Sequence, residues 1–293
     1  MRQNPEEEKK IFSEDLLKKV RERKPLIHCI TNYVTANDVA NVLLALGASP
    51  IMADCPEEAG EITALSQGLV LNMGTISSDR ITSMKISGRR AFELGLPVVL
   101  DPVGAGSSVL RLRTVSELLS GTKISAIRGN ASEIKALCGL VSEGKPSAWK
   151  EQGVDSRQRD ALQKENFEET IQRLKNLSRL TGACVVMTGK EDLIIENEKI
   201  CLVRGGSSLM GSVTGTGCMM DGVLAALLSV SNKGEGGFGP AVLSCAFMKA
   251  AACRAYEKTR KQEGGTGLFR VFLIDAIGAL KTEDLKGGIE FEF

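Results

Sequence analysis

The sequence is poor in the residues that build soft-metal sites. It has a single histidine, His28, and none of its eight cysteines stands in a Cys-x-x-Cys pair. That argues against a zinc centre, which draws its ligands from such clusters. An excess of one charge is also missing: 37 Lys+Arg against 36 Asp+Glu leave a formal net charge of +1. Nothing in this balance suggests electrostatic capture of nucleic acid or of an anionic membrane surface. No apolar run reaches membrane-spanning length, and the opening MRQNPEEEKK is too polar for a signal peptide. Several cysteines lie in apolar runs such as Ala183-Cys184-Val185-Val186, where they read as reduced core residues and point to a cytoplasmic location.

What is there is enough apolar material, 43% of 293 residues, for a sizeable core. It is arranged as short buried strands alternating with helices. A short helix is expected from an N-cap at Ser13 to Glu22, and a strand opens at Pro25. Further strands are expected at Ser49–Ala53, Gly68–Met73, Pro97–Pro102, Ile124–Ile127 and Ala183–Met187, with helices between them. Gly47 should stop the helix that begins near Asp38. Asp192–Glu196 and Lys199–Val203 read as a hairpin turning at Asn197. The polar stretch 141–165, with the lone Trp149, reads as an exposed excursion. This alternation means an α/β fold: one domain, 1–293, with a mostly parallel sheet covered by helices on both faces. In such sheets functional groups gather beyond the C-terminal strand ends. Met52, Asn72, Asp101, the Arg128–Glu133 run and Thr188-Gly189 all fall there.

The chain is organised around Ser212-Val213-Thr214-Gly215-Thr216-Gly217-Cys218-Met219-Met220, a Gly-rich loop running into an apolar helix from about Gly217 to Ser231. The first amides of a helix lack internal acceptors, and the helix dipole is positive there. Glycine lets an anion approach that backbone, and Thr214 or Thr216 can cap it. Cys218 sits in the first turn, where the dipole would favour a thiolate.

Two nucleotide signatures fail. Gly139–Lys145 spells G-x-x-x-x-G-K, but Pro146 follows where a P-loop needs Ser or Thr, and the stretch lies in a helical run. Gly215-Thr216-Gly217 begins like a dinucleotide fingerprint, but Met220 stands where a third glycine is required. The remaining candidates each have two readings. Asp101 is a turn-forming acid or a carboxylate aimed at Mg²⁺–phosphate. Glu133 belongs to a capping arrangement or holds magnesium through water. Arg128 clamps phosphate or makes a surface ion pair. Thr188-Gly189 is a turn or part of a site. His28, flanked by Ile27 and Cys29, reads first as a satisfied core histidine. Met52 is core or lines an apolar heterocycle pocket. Asn32, Asn37 and Asp38 can simply cap the next helix. An anion-binding helix start, two acids and an arginine at one sheet edge are the equipment of magnesium-assisted phosphoryl transfer without a P-loop.

The segments PLIHCITNYVTANDVANVLLALGASPIMA (25–53), LNMGT (71–75), PVVLDPVGAG (97–106), AIRGNASEI (126–134), VVMTGKED (185–192), VTGTGCMM (213–220) and GLFRVFLIDAI (267–277) stand in the order of the hydroxyethylthiazole kinase family, which the chain resembles. The resemblance implies a ribokinase-like fold and ATP-dependent phosphorylation of 4-methyl-5-(2-hydroxyethyl)thiazole in thiamin salvage. It also implies a homotrimer with active sites between subunits. By position it implies substrate contacts from Met52 and Gly215, ATP contacts from Arg128 and Thr188, and magnesium-side acids at Asp101 and Glu133. Cys218 then takes the place where many ribokinase relatives have an aspartate base. Two features depart from the family: residues 142–165 look longer than its usual loop, and Asp221 stands where its helix is usually small or apolar. Asp221 reads either as a carboxylate gaining from the helix dipole or as an auxiliary to Cys218. Two rivals are a ribokinase-like kinase of another alcohol, such as hydroxymethylpyrimidine, and a non-catalytic nucleotide-binding regulator on the same scaffold.

Overall fold

A computed structural model of the chain describes residues 11, 15–143, 167–232, 234–286 and 289–293. Ser13, Trp149 and nearly all of the polar excursion lie outside them. Helix α1 (Leu16–Arg23) is capped by Asp15, whose side chain accepts from the Lys18 amide at 3.0 Å. After β1 (Leu26–Ile30), α2 (Ala36–Leu46) stops at Gly47 with φ 101°, a left-handed turn that glycine takes at little cost. Then follow β2 (Ser49–Ile51), α3 (Pro56–Leu65), β3 (Gly68–Asn72), α4 (Ser78–Leu94), β4 (Val98–Asp101) and α5 (Val109–Gly121). Next come β5 (Ala126–Asn130), α6 (Ala131–Glu143), α7 (Phe167–Thr181) and β6 (Cys184–Thr188). Strands β7 (Asp192–Glu196) and β8 (Lys199–Arg204) form the expected hairpin, and Asn197 has the positive φ, 54°, that its tight turn requires. Helices α8 (Thr216–Val230), α9 (Phe238–Lys261) and α10 (Thr266–Ala279) follow, and β9 (Glu290–Glu292) closes the chain.

The strands join in one sheet of order β2-β1-β3-β4-β5-β6-β7-β8-β9. Pairing is parallel from β2 through β6 and antiparallel from β6 through β9. The chain steps from β1 to β2 on one side and then to β3 on the other. That reversal opens a crevice at the C-terminal strand ends.

Side chains alternate across the sheet. Val70, Val99 and Ala126 point into one apolar layer with α1, α2, α8, α9 and α10. Leu69, Leu71, Val98, Leu100 and Ile127 point into the opposite layer with α4 to α7. Helix α8 is buried along nearly its whole length, because the sheet covers one side and α2 and α9 pack on others.

Candidate active site

The two-residue period of the strands decides which polar groups meet. On β3, β4 and β5 it carries Asn72, Asp101 and Arg128 to the same side as Val70, Val99 and Ala126, beneath α8. The first turns of α8 present Cys218 and, three residues on, Asp221 to them. Arg128 bonds Asp221 twice, Nε to Oδ1 at 2.7 Å and Nη2 to Oδ2 at 2.9 Å, and its Nη2 also donates to Asp101 Oδ2 at 2.6 Å. Asn72 Nδ2 is shared among Asp101 Oδ2, Asp221 Oδ2 at 3.2 Å and Cys218 Sγ at 3.3 Å. Asn32, just past β1, donates to Asn72 Oδ1 at 3.0 Å and to Cys218 Sγ at 3.3 Å. All six side chains are buried, with Asp221 at 0% exposure and Asp101 at 1%.

Electrostatics follow from this burial. Loss of water pushes the Asp101 carboxyl well above the usual carboxylate range; Arg128 opposes this and Asp221 adds to it. Burial alone would lower Arg128, but Asp101 and Asp221 hold its guanidinium well above the ordinary value. Burial, then the Asp221 charge, push the Cys218 thiol up. This corrects the thiolate expected from the helix dipole: at this depth desolvation and a neighbouring carboxylate outweigh it. Asp221, read as a carboxylate gaining from the helix dipole or as an auxiliary to Cys218, is half of a buried ion pair with Arg128 and helps push the Cys218 thiol up.

Glu133 opens α6 and accepts from the Asn130 amide at 2.8 Å and from the Gly104 amide at 3.0 Å. Asn130 Oδ1 in turn accepts from the Glu133 amide at 2.9 Å, so the two residues form a capping box. Burial pushes the Glu133 carboxyl up, and Arg128 counters it. Arg111 donates to the carbonyls of Met73, Gly74 and Val103, tying together the loops after β3 and β4.

The donor set fits a hard divalent cation. Asp101 Oδ1 is buried with no hydrogen-bond partner among the described residues, and each Glu133 oxygen, accepting one amide, keeps a lone pair. Carboxylate oxygens are what magnesium prefers. Asp101, Cys218 and Asp221 also bring ligand atoms within 4.8 Å of one another, but both Asp221 oxygens are occupied by Arg128 and a protonated thiol is a poor magnesium ligand.

Helix α8 starts from Gly215, with φ 84°. A Cβ there would lie 2.5 Å from Thr35 Cγ2, and one on Gly217 would lie 2.6 Å from Arg128 Nη1. Loop and guanidinium therefore meet only because Gly217 lacks a side chain, and the loop seats on Thr35 only because Gly215 does. Neither Thr214 nor Thr216 caps the helix: Gly215 holds the cap position, with no side-chain cap bond, and Thr216 Oγ1 donates to Met210 O at 3.2 Å. The first backbone bond inside the helix runs from the Met219 amide to Gly215 O, 2.8 Å, so the amides before it have no acceptor within the helix.

Beside this start lies a cavity of about 600 Å³, between Thr188-Gly189, the Gly205–Ser208 loop and Thr216-Gly217. Thr188 Oγ1 donates to Gly129 O at 3.2 Å. On the cavity wall Lys249, 4% exposed, pairs with Asp192 at 3.3 Å. A larger hollow of about 920 Å³ lies between α3 and α4, away from the strand-end cluster.

The structure thus brings Asp101, Arg128 and Cys218 into one buried cluster and sets Glu133 beside it. Thr188 borders the adjoining cavity. Met52 is 38% exposed past edge strand β2, outside the cluster. His28 is the satisfied core histidine expected, bonded to Thr63 Oγ1 at 2.9 Å and Ala53 O at 2.6 Å. The Asn32/Asn37/Asp38 group divides: Asn32 turns to Cys218, Asn37 Oδ1 accepts from Asn41, and Asp38 pairs with Arg270. Sequence reasoning missed Asn32 as a site residue and missed the Asp192–Lys249 pair. The signal for Lys249 was one lysine inside the small and apolar run Ala241–Ala252.

A model of the hydroxyethylthiazole kinase family matches residues 17–283. A hydroxyethylthiazole kinase of Clostridium beijerinckii is 44% identical over 265 residues, covering 90% of this chain and 91% of its own. One from Methanobrevibacter smithii is 36% identical over 281 residues, covering 94% and 95%. The solved structure of a hydroxyethylthiazole kinase protein from Pyrococcus horikoshii superposes with a TM-score of 0.80 at 32% identity, over 97% of this chain and 98% of that one. A pyridoxal kinase from Staphylococcus aureus shares the fold at a TM-score of 0.52 and 10% identity, over 79% and 88%.

Proposed function

The chain belongs to the hydroxyethylthiazole kinase family, and from that premise we propose that it phosphorylates the alcohol of 4-methyl-5-(2-hydroxyethyl)thiazole with ATP, in thiamin salvage. One observation carries the reading at the level of the site. The open amides of α8, the thiol of Cys218 and the Asp101–Arg128 pair converge beside a cavity bordered by Thr188.

ATP lies in that cavity, with Thr188 and Arg128 contacting it, and the phosphates reach toward Gly215–Cys218. The thiazole packs against Gly215 and Met52, and its hydroxyl points at Cys218. The hydroxyl oxygen attacks the γ-phosphorus in line as the bond from that phosphorus to the bridging oxygen breaks and ADP leaves; the hydroxyl proton passes to an oxygen of the transferred phosphoryl group, and the α8 amides stabilise charge on that group. Cys218 stays protonated in the free protein and so orients the hydroxyl rather than acting as a strong base. Phosphoryl transfer tolerates this, being mostly positioning and electrostatics. Asp101 and Glu133 would hold magnesium, which when bound would supply positive charge to neutralise the phosphates.

The chain acts as a single kinase domain and as a homotrimer whose sites lie between subunits. Exposed apolar residues around the first crossover support a shared wall: Tyr33 is 74% exposed, Val34 57% and Met52 38%. Six buried cysteines, none of them in a disulfide, suit a reducing cytoplasm. Among the described residues no helix is long and apolar enough to cross a membrane.

A substrate panel tests the assignment. Purified chain, ATP and magnesium are combined with the thiazole alcohol, hydroxymethylpyrimidine or pyridoxal, and ADP release is followed. The thiazole alcohol should give the highest kcat/KM by tenfold or more, on the order of what a shaped pocket discriminates. A preference for either other alcohol overturns the reading.

A further inference from the structure

Asp221 has no part in the transfer just described, yet it is the most deeply buried acid of the cluster and sits in an otherwise apolar helix. Its stability value does not explain it. A buried ion pair is often no more stabilising than an apolar pair of the same volume. Its geometry does. Asp101 meets Arg128 through Nη2 alone, a contact about which a guanidinium can pivot. Asp221 grips the adjoining edge of the same fork, Nε and Nη2 together. Two parallel bonds fix the plane of the guanidinium as well as its position.

The consequence falls on the third nitrogen. Nη1 has no hydrogen-bond partner among the described residues, and it lies directly against Gly217, where a Cβ would come within 2.6 Å. The guanidinium is thus seated against Gly217 in the first turn of α8, with Nη1 its nearest atom. Asn72 stiffens the arrangement by donating to Asp101 Oδ2 and to Asp221 Oδ2, 3.2 Å.

We propose that Asp221 is a positioning residue: it turns Arg128 so that Nη1 joins the α8 amides as a donor to the phosphates of ATP. The proposal rests on the assignment of Arg128 to ATP made above.

The test is a double-mutant cycle of Asp221→Asn and Arg128→Lys, with steady-state kinetics in ATP and in thiazole alcohol, and ADP affinity by calorimetry. Asp221→Asn keeps the size of the side chain and loses the paired charge. It should lower kcat/KM for ATP on the order of tenfold to a hundredfold and weaken ADP binding, with KM for the thiazole alcohol within about twofold. Asp221→Asn placed on Arg128→Lys should cost almost nothing further, because lysine has no fork to orient. A folded Asp221→Asn with wild-type ATP kinetics, or effects that multiply independently with those of Arg128→Lys, overturns the proposal while leaving the kinase assignment intact. Wild-type ATP kinetics in Arg128→Lys removes the ATP role of Arg128 and the proposal with it. Should Asp221→Asn fail to fold, Asp221→Glu serves. It keeps the charge but displaces the fork, so unchanged ATP kinetics there equally overturns the proposal.

Discussion

Cys218 shows how one residue is read differently from its position and from its surroundings. At a helix start a thiol should ionise readily, but the protein buries this one beside Asp221 and so holds it protonated. Its value then lies in where the sulfur is, fixed by Asn32 and Asn72 at 3.3 Å each. Cys218→Ala should lower kcat on the order of tenfold to a hundredfold, at or below the bottom of the range for proton transfer, because the thiol orients the hydroxyl and does not take its proton. KM for ATP should stay within about threefold, because the α8 amides remain. Equal kcat in the variant would make the thiol a packing residue. The positions of Asp101, Arg128 and Thr188 at or near strand ends were legible, because apolar runs in a parallel sheet locate the strands that carry them. Asn32 and the Asp221–Arg128 pair were not, because each depends on contacts between positions 93 or more residues apart, which no local pattern encodes.

At the scale of elements, most of the fold was legible. Gly47 and Asn197 ended their elements where expected because a positive φ restricts the residue type. The buried strands β3, β4 and β6 announced themselves as continuous apolar runs. The final strand β9 did not, since three residues are too few for alternation to register. The start of α8 is the element on which the site depends, and Gly217 is its narrowest point. Gly217→Ala should push the Arg128 guanidinium or the helix start aside, with kcat/KM falling at least tenfold and stability by about 1–3 kcal/mol, the usual range for overpacking. Gly121→Ala, at the end of α5 and away from the cavity, is the control: nothing lies within 4 Å of the Cβ it would add, so activity should stay put and the thermal midpoint should not fall. If Gly217→Ala matches that control, the contact between loop and guanidinium is unimportant.

The whole molecule carries a pH signature from its thiols. Burial pushes Cys29, Cys138, Cys184, Cys218 and Cys245 up, Cys138 to about 12. Unfolded thiols ionise near 8.5, so above that pH the unfolded chain loses protons that the folded chain keeps. The stabilisation is complete below about pH 8.5 and is lost as pH rises toward the folded values, on the order of 1.4 kcal/mol per thiol for each unit. Urea midpoints under reducing conditions should therefore fall between pH 8 and pH 9.5; a midpoint that holds or rises would contradict this burial. Assembly is tested by complementation. Met52→Arg and Cys218→Ala chains, each poorly active alone, should regain activity in co-expressed mixed oligomers if Met52 and Cys218 meet across an interface. Mixed oligomers no better than their parents, both being folded, would place the site within one subunit.

The central claim, that this cluster moves a phosphoryl group to the thiazole alcohol, is met most directly by identifying the product. The purified chain is incubated with ATP, magnesium and 4-methyl-5-(2-hydroxyethyl)thiazole, and both the phosphorylated thiazole and ADP are quantified by mass spectrometry. The account predicts the two in equal amounts, with both falling together in Cys218→Ala. ATP bound but no thiazole phosphate formed, or ADP released without it, would contradict the account and favour a nucleotide-binding regulator on a kinase scaffold.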